Sequence, residues 1–418
     1  MKSNTKGKRI ILVLLGILLI LAPISANNHL CIFGNACKNS DDIDSCSLDK
    51  KNPRNSGVSG KIHINNNWTA VKAADICTGN GTSSEPYVLK DLIIDGEGLG
   101  SCIWIENSDA YVTIYNCTVY NSGGYPHAGI RFINVTHSSI LGNNCSFNSW
   151  GIYLNRSNDN IIFGNTAIYN TVTGIYLLYS NENLIWGNTA TNNNNHGIAV
   201  MMYSHNNNVT GNFAFDNGGY GIDLENSNEN LIEGNYAIDN NYGIRALNCY
   251  YNNITGNILN SENYLGIYMS YCDYNTIMGN VANNNKHDGI ELSRSNNNNV
   301  TENIADNNEW NGIILYYGGN NNLLKNNASY NEGAGIYLYI SDYNNITENV
   351  LTGNDVCIYE HEDCVGNIFE NNNCSSGNGD NENDGEEPSP NNVPGYNLFF
   401  LIGVFAIVAI LLRKKLIE

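Results

Sequence analysis

The chain has 418 residues, with 40 Asp and Glu against 20 Lys and Arg, a net charge of −20 and 41 glycines. So acidic a chain offers no basic surface to phosphates, which excludes nucleic acid as a partner and leaves cationic groups or divalent ions open. The same charge fits an exported surface kept soluble by self-repulsion.

At the N-terminus, Lys2, Lys6, Lys8 and Arg9 precede an apolar stretch from Ile10 to Leu21, and Ser25-Ala26 offers a small-residue cleavage point. This pattern predicts a secretory signal over 1–26, with an uncleaved anchor as the alternative. Both readings export the chain. Residues 27–60 carry Cys31, Cys37 and Cys46 among polar residues with little to pack. Residues 61–101 hold Trp68, Pro86-Tyr87-Val88-Leu89 and Leu92-Ile93-Ile94-Asp95-Gly96. They are expected to form first strands and a cap, because a solenoid must seal its open apolar end.

From 102 to 374 the chain repeats. Ten Gly-Ile pairs run from Gly129 to Gly335 at steps of 22 to 24 residues. The unit reads G-I-x-L-x-x-S-x-x-N-x-I-x-G-N-x-A-x-x-N. Its Ile-x-Leu alternation (Ile152 and Leu154, Ile175 and Leu177) puts both apolar residues on one side of a strand. A second apolar column includes Ile162, Ile185 and Val209, and a third is mostly alanine, as at Ala167, Ala190 and Ala214. Three asparagine columns, represented by Asn160, Asn165 and Asn170 and their repeats, mark three corners. Asparagine tolerates the left-handed region and bonds to nearby backbone. Hexapeptide helices use shorter coils, and leucine-rich repeats demand a different leucine pattern. The fold class is therefore all-β: a right-handed parallel β-helix of three strands and 22 to 24 residues per coil.

Residues 375–396 form an acidic, polar stretch predicted to be a disordered linker. Residues 397–412 are apolar enough for a transmembrane or sorting segment, and 413–418 a basic cytoplasmic tail. Pro394-Gly395-Tyr396 before that segment resembles the PGF-type C-terminal sorting signals of archaeal surface proteins. That resemblance implies a sortase-type processing enzyme that exchanges the tail for lipid; a plain membrane anchor is the alternative. Tyr396 stands where phenylalanine is usual.

The stretch PYVLKDLIIDG, followed by SCIWIENS, YNCTVYNS and the repeats, resembles the NosD-like family of β-helix proteins over about residues 61–370. The family's namesakes are described as periplasmic copper-binding proteins. The soft-ligand candidates here are His196, Met202 and His205, thioether and imidazole being suited to Cu(I). Calcium is the other possible ion, by analogy with β-helix enzymes acting on polysaccharides.

The outward position after each Gly-Ile reads, in part, Tyr153, Tyr176, Asp223, Arg245, Tyr268, Glu291 and Tyr337. Asp223, Arg245 and Glu291 are the catalytic candidates, but three coils at about 4.8 Å each put Asp223 and Glu291 about 14 Å apart. Glycosidase carboxylates stand about 5 to 9.5 Å apart. Tyr153, Tyr176, Tyr268 and Tyr337 are the candidate ligand face, suited to carbohydrate or to another surface protein; β-propensity alone also accounts for them. Cys249 with Cys272, and Cys117 with Cys145, are expected to stack on adjacent coils, as disulfides or as small buried residues. Sequons at Asn253, Asn299 and Asn345 are expected to point outward as glycan sites. The leading expectation is a non-catalytic, membrane-anchored surface protein; a polysaccharide lyase, hydrolase or epimerase and a copper carrier are the alternatives.

Overall fold

Each Gly-Ile segment forms a strand, and successive strands pair in parallel, one coil above the next. This is seen in a computed structural model that describes residues 60–261 and 264–375. The signal segment, nearly all of 27–60, and the linker, apolar segment, tail and Pro394, Gly395 and Tyr396 lie outside the described residues. Among the described residues no helix is long and apolar enough to cross a membrane.

Two sheets of 13 strands each run the length of the coil. The first wall passes from Ile62–Asn65 through Trp150–Asn155 and Tyr220–Glu225 to Val356–Glu360. The second runs from Tyr87–Lys90 to Ile368–Glu370. The third is held largely by single bridges, such as Thr166 to Thr189 and Ile258 to Val281. With about 12 turns at about 4.8 Å per step, the rod is about 60 Å long. Residues 61–101 supply a strand to each wall: Ile62–Asn65 pairs with Ile103–Ser108, Tyr87–Lys90 with Val112–Tyr115, and Ile93–Asp95 with Thr118–Tyr120. A six-residue helix, Trp68–Ala73, interrupts this first coil and buries Trp68 and Val71 against the core.

The three apolar columns meet inside. Ile175, Leu177, Ile185 and Ala190 are all fully buried. Alanine in the third column and glycine in the first are linked by a close approach. A Cβ on Gly174 would lie 2.8 Å from the Gly197 carbonyl oxygen and 2.9 Å from Ala190 Cβ. The side-chain-free glycine therefore lets the first and third walls close.

The asparagine columns are buried and bonded. Oδ1 of Asn212 accepts the Asn188 backbone N–H at 2.9 Å and its Nδ2 at 3.0 Å, while Asn188 Nδ2 also donates to the Ile162 carbonyl at 2.9 Å. The same pattern recurs from Asn143 to Asn349 in this column. Corner backbone that cannot join a strand ladder is thus satisfied by side chains. A parallel series of hydroxyls lines another corner: the Ser157 and Ser180 N–H groups donate to Ser180 and Ser204 Oγ.

The cysteines divide between expectation and correction. Cys249 and Cys272 do stack on adjacent coils, but as free thiols in that serine series. The Cys249 N–H donates to Cys272 Sγ at 3.3 Å, and the Cys272 N–H to Ser295 Oγ at 3.0 Å. Cys117 and Cys145 do not share a register position. The bridge of Thr118 to Asn144 sets a step of 26 residues here, whereas the two cysteines are 28 apart, so Cys117 sits beside Asn143 and Cys145 beside Val119. Both are buried free thiols. Among the described residues, the one disulfide joins Cys357 and Cys374 and ties the last coil together.

Candidate ligand-binding face

The outward position that follows each Gly-Ile stacks in strict register along the first wall. From Trp104 the column continues Arg131, Tyr153, Tyr176, Ala199, Asp223, Arg245, Tyr268, Glu291, Ile314 and Tyr337. The four candidate tyrosines therefore do not touch as one series. Tyr153 and Tyr176 are neighbours, with ring centroids 5.7 Å apart. Tyr268 is separated from them by Ala199, Asp223 and Arg245, and Tyr337 from Tyr268 by Glu291 and Ile314. Tyr153 is buried beneath Trp150, whose ring stacks on it at 4.7 Å.

Beside this column, on the edge where the chain enters the wall, stands a second one that the sequence reading missed. His196, Tyr220, Tyr242, Tyr264, His287 and Trp310 contact one another in turn, with centroid separations of 4.8, 5.1, 5.4, 4.5 and 4.0 Å. The signal was present: each lies one or two residues before the glycine of its repeat. The series ends at Trp310, which is 55% exposed. The next coil carries Gly333 there, leaving a shallow cleft of ≈ 270 Å³ lined by Glu309, Trp310, Asn311, Glu332 and Gly333.

Two polar clusters lie against this ridge. In the first, Arg245 Nε and Nη2 donate to the two oxygens of Asp223 at 2.7 and 3.1 Å, and Nη2 also to Glu225 at 3.1 Å. The guanidinium lies over the Tyr220 ring at 4.6 Å. His196 Nε2 is 3.6 Å from Asp223, and His196 Nδ1 accepts the Tyr220 N–H at 3.3 Å. Burial pushes the Asp223 carboxyl up to about 6 against the pull of Arg245, and burial with the nearby Arg245 charge lowers His196 to about 4. At neutral pH the cluster thus holds the Asp223 carboxylate on the Arg245 guanidinium beside a neutral imidazole.

In the second cluster, His287 Nδ1 bonds Asp288 at 2.6 Å, and Asp288 Oδ1 accepts from the Asn311 N–H and Nδ2, both at 2.8 Å. Glu291 is pushed up to about 7 by burial and by the Asp288 charge, with His287 opposing. Asp223 and Glu291 stay three coils apart; the structure brings each instead to its own histidine and second carboxylate.

The copper candidates do not converge. His196 stands before the strand Ile198–Met201 and Met202 and His205 after it, separated by about 13 Å of strand. His205 Nδ1 accepts the Asn228 N–H at 2.9 Å, and Met202 Sδ lies 3.7 Å from Asn226 Nδ2. Among the described residues no group of three or more His, Cys, Asp and Glu could hold a metal ion. Asn253, Asn299 and Asn345 lie on the second wall, Asn253 exposed and the other two half-buried. Asn322 bridges Asn299 and Asn345 through amide bonds of 2.8 and 2.9 Å.

With parallel coils, glycine and asparagine columns and this outer face in view, comparison with known proteins is informative. Residues 78–265 match the family described as periplasmic copper-binding protein (NosD), and residues 213–328 and 247–385 match the right handed beta helix region. The chain is a parallel β-helix protein, similar to the NosD family over less than half of its length. No curated protein matches its sequence. Among solved structures, the A-module of the mannuronan C-5 epimerase AlgE6 of Azotobacter vinelandii is similar at 12% identity and a TM-score of 0.54, over 70% of this chain and 81% of that one. The receptor binding domain of the Siphovirus 9NA tailspike is similar at 12% identity and a TM-score of 0.52, over 80% and 78% of the two chains. At such identities the likeness is one of fold.

Proposed function

We propose that this NosD-like chain is an exported cell-surface protein that binds a polysaccharide along the outer face of its first wall. The observation that carries the reading is the unbroken aromatic ridge from His196 to Trp310, ending in an exposed indole over a cleft. Aromatic edges with hydroxyl and imidazole tips offer both apolar contact and hydrogen bonds to a sugar chain. A straight rod repeats that offer at every coil, which suits a repeating ligand better than a compact one. A soft copper set has no comparable support, because its three candidates are split by a strand. Export and attachment rest on the two terminal segments; the mass of the C-terminal peptide of the mature protein distinguishes a retained tail from one replaced by lipid.

The test is affinity electrophoresis of the purified full-length protein in gels containing neutral or acidic polysaccharides. Retardation by at least one of them is expected, and Trp310→Ala with Tyr264→Ala should weaken it about tenfold, as aromatic anchors do. If no polysaccharide slows the protein, the reading fails.

A second reading, conversion of the bound glycan, is favoured by the His287–Asp288–Glu291 cluster. A carboxyl held near neutrality beside an oriented imidazole is suited to acid–base work. New reducing or unsaturated ends, lost in Glu291→Gln, would establish it.

A further inference from the structure

The other end of the same face holds a group of buried hydrogen-bond donors with nothing to bind. Arg131 is 9% exposed. Among the described residues its guanidinium has no carboxylate or hydrogen-bond partner; it lies over the Trp104 ring at 4.6 Å and 5.9 Å from that of Tyr153. Nε of Arg131, Nε1 of Trp104 and Nε1 of Trp150 are all buried and unpartnered, as is Nδ1 of the adjacent His127. Native proteins leave only a few such groups per hundred residues, and each calls for an explanation. Here Arg131 stacks on one such indole, Trp104, and the other, Trp150, lies over the Tyr153 ring that neighbours Arg131.

The kind of group decides what is missing. Guanidinium and indole N–H are donors only. A site built from them lacks an acceptor, and with an unpaired cation at its centre the acceptor it lacks is an anion. The nearest carboxylate whose field reaches Arg131 is Glu106, and that one is bound to His63 Nε2 at 2.8 Å. Burial itself works against the Arg131 charge and lowers its pKa. An unpaired buried charge is costly, and ligand sites are where proteins keep such costs. The planar fork of arginine matches a carboxylate.

The cover over the site is light. The loop Ser122 to His127 contains Gly123-Gly124, and Tyr125 touches Trp150 edge-on at 5.3 Å while 83% exposed. Displacing that ring opens the Trp150 side of the site.

We infer that Arg131, with the indole N–H groups of Trp104 and Trp150, forms a subsite for the carboxylate of an acidic sugar, covered by the Tyr125 loop. The inference rests on the first wall being the glycan face and adds the charge of one sugar unit. It also explains how a chain of net charge −20 would hold an anionic ligand: through one desolvated cation rather than a basic surface.

The experiment is a titration of the full-length protein with a hexuronate oligosaccharide, its neutral counterpart and a sulfated counterpart, read by indole fluorescence and calorimetry. The uronate should bind and change the indole emission. Arg131→Gln should weaken uronate binding at least tenfold, Arg131→Lys should recover part of it, and neither should alter neutral-sugar binding. Without ligand, Arg131→Gln should melt at or above the temperature of the parent, because it removes an unpaired buried charge. A large fall in melting temperature would make Arg131 structural and overturn the proposal, as would unchanged uronate affinity in Arg131→Gln. Tighter, Arg131-dependent binding of the sulfated chain would overturn the carboxylate assignment. Neutral binding that depends on Trp310 but not Arg131 would leave the ridge reading standing without the subsite; Arg131-dependent binding of free hexuronate without any polysaccharide binding would leave the subsite without the ridge.

Discussion

Arg245 grips Asp223 across one coil step with two hydrogen bonds, of 2.7 and 3.1 Å, and Asp223 is fully buried beneath it. A buried carboxylate is tolerated only while its charge is compensated. Arg245→Ala should therefore cost about 3–5 kcal/mol, the usual effect of stranding one partner of a buried pair. Replacing both, as Asp223→Leu with Arg245→Met, should recover most of that loss. Urea unfolding followed by far-UV circular dichroism checks both; a double variant as unstable as the single would show that the pair does more than neutralise itself.

The asparagine series makes a sharper stability prediction. Asn235 Nδ2 donates to Asn257 Oδ1 and the Val209 carbonyl, and its Oδ1 accepts the Asn212 backbone N–H. Asn235→Ala leaves the Asn212 N–H buried and unpaired, at about 1–3 kcal/mol. Asn372 lies at the open end, where water can replace its amide, so Asn372→Ala should cost well under half as much. Equal losses at the two positions would contradict the role assigned to the buried series.

These columns also mark the limit of what the residues disclose in one dimension. Glycine, alanine and asparagine recur because backbone contacts force them to, so period alone yields walls, corners and core. The ridge obeys the same period, but its members are His, Tyr and Trp at one of two positions before the glycine, and that jitter hides the column. Asp223 and His196 lie 27 residues apart on adjacent coils, at different places in the repeat. Counting outward positions alone set Asp223 against Glu291, three coils away and too far to act together. The orphaned donors around Arg131 leave no trace in sequence at all, since burial of an outward residue depends on the loop that covers it.

Glu291 gives the chain a pH dependence near neutrality. Its carboxyl titrates near 7 in the fold, through burial and the Asp288 charge, against about 4.3 when unfolded. A raised carboxyl pKa contributes stability that is complete below the unfolded value and is lost as pH rises through the folded one. His287, raised through its bond to Asp288 despite burial, acts with the same sign. His196 is lowered to about 4, so its opposing contribution is complete above about 6.5 and adds no slope beyond it. The melting temperature should fall between pH 6.5 and 8, and Glu291→Gln should remove much of the fall. A slope unchanged by that substitution would place the titration elsewhere.

Cys249 and Cys272 test whether stacked cysteines serve here as thiols. Each stands where most coils carry serine: Ser227 precedes them and Ser295 follows. Sγ of Cys272 accepts a backbone N–H as those hydroxyls do, and burial pushes its thiol pKa upward. A hydroxyl fits the same geometry and is the stronger acceptor, so Cys249→Ser with Cys272→Ser should shift stability by less than about 1 kcal/mol. A stabilising disulfide between them would make the same replacement cost about 2–4 kcal/mol. Peptide mapping under non-reducing conditions separates the cases directly, since Cys357 and Cys374 should appear cross-linked and this pair should not.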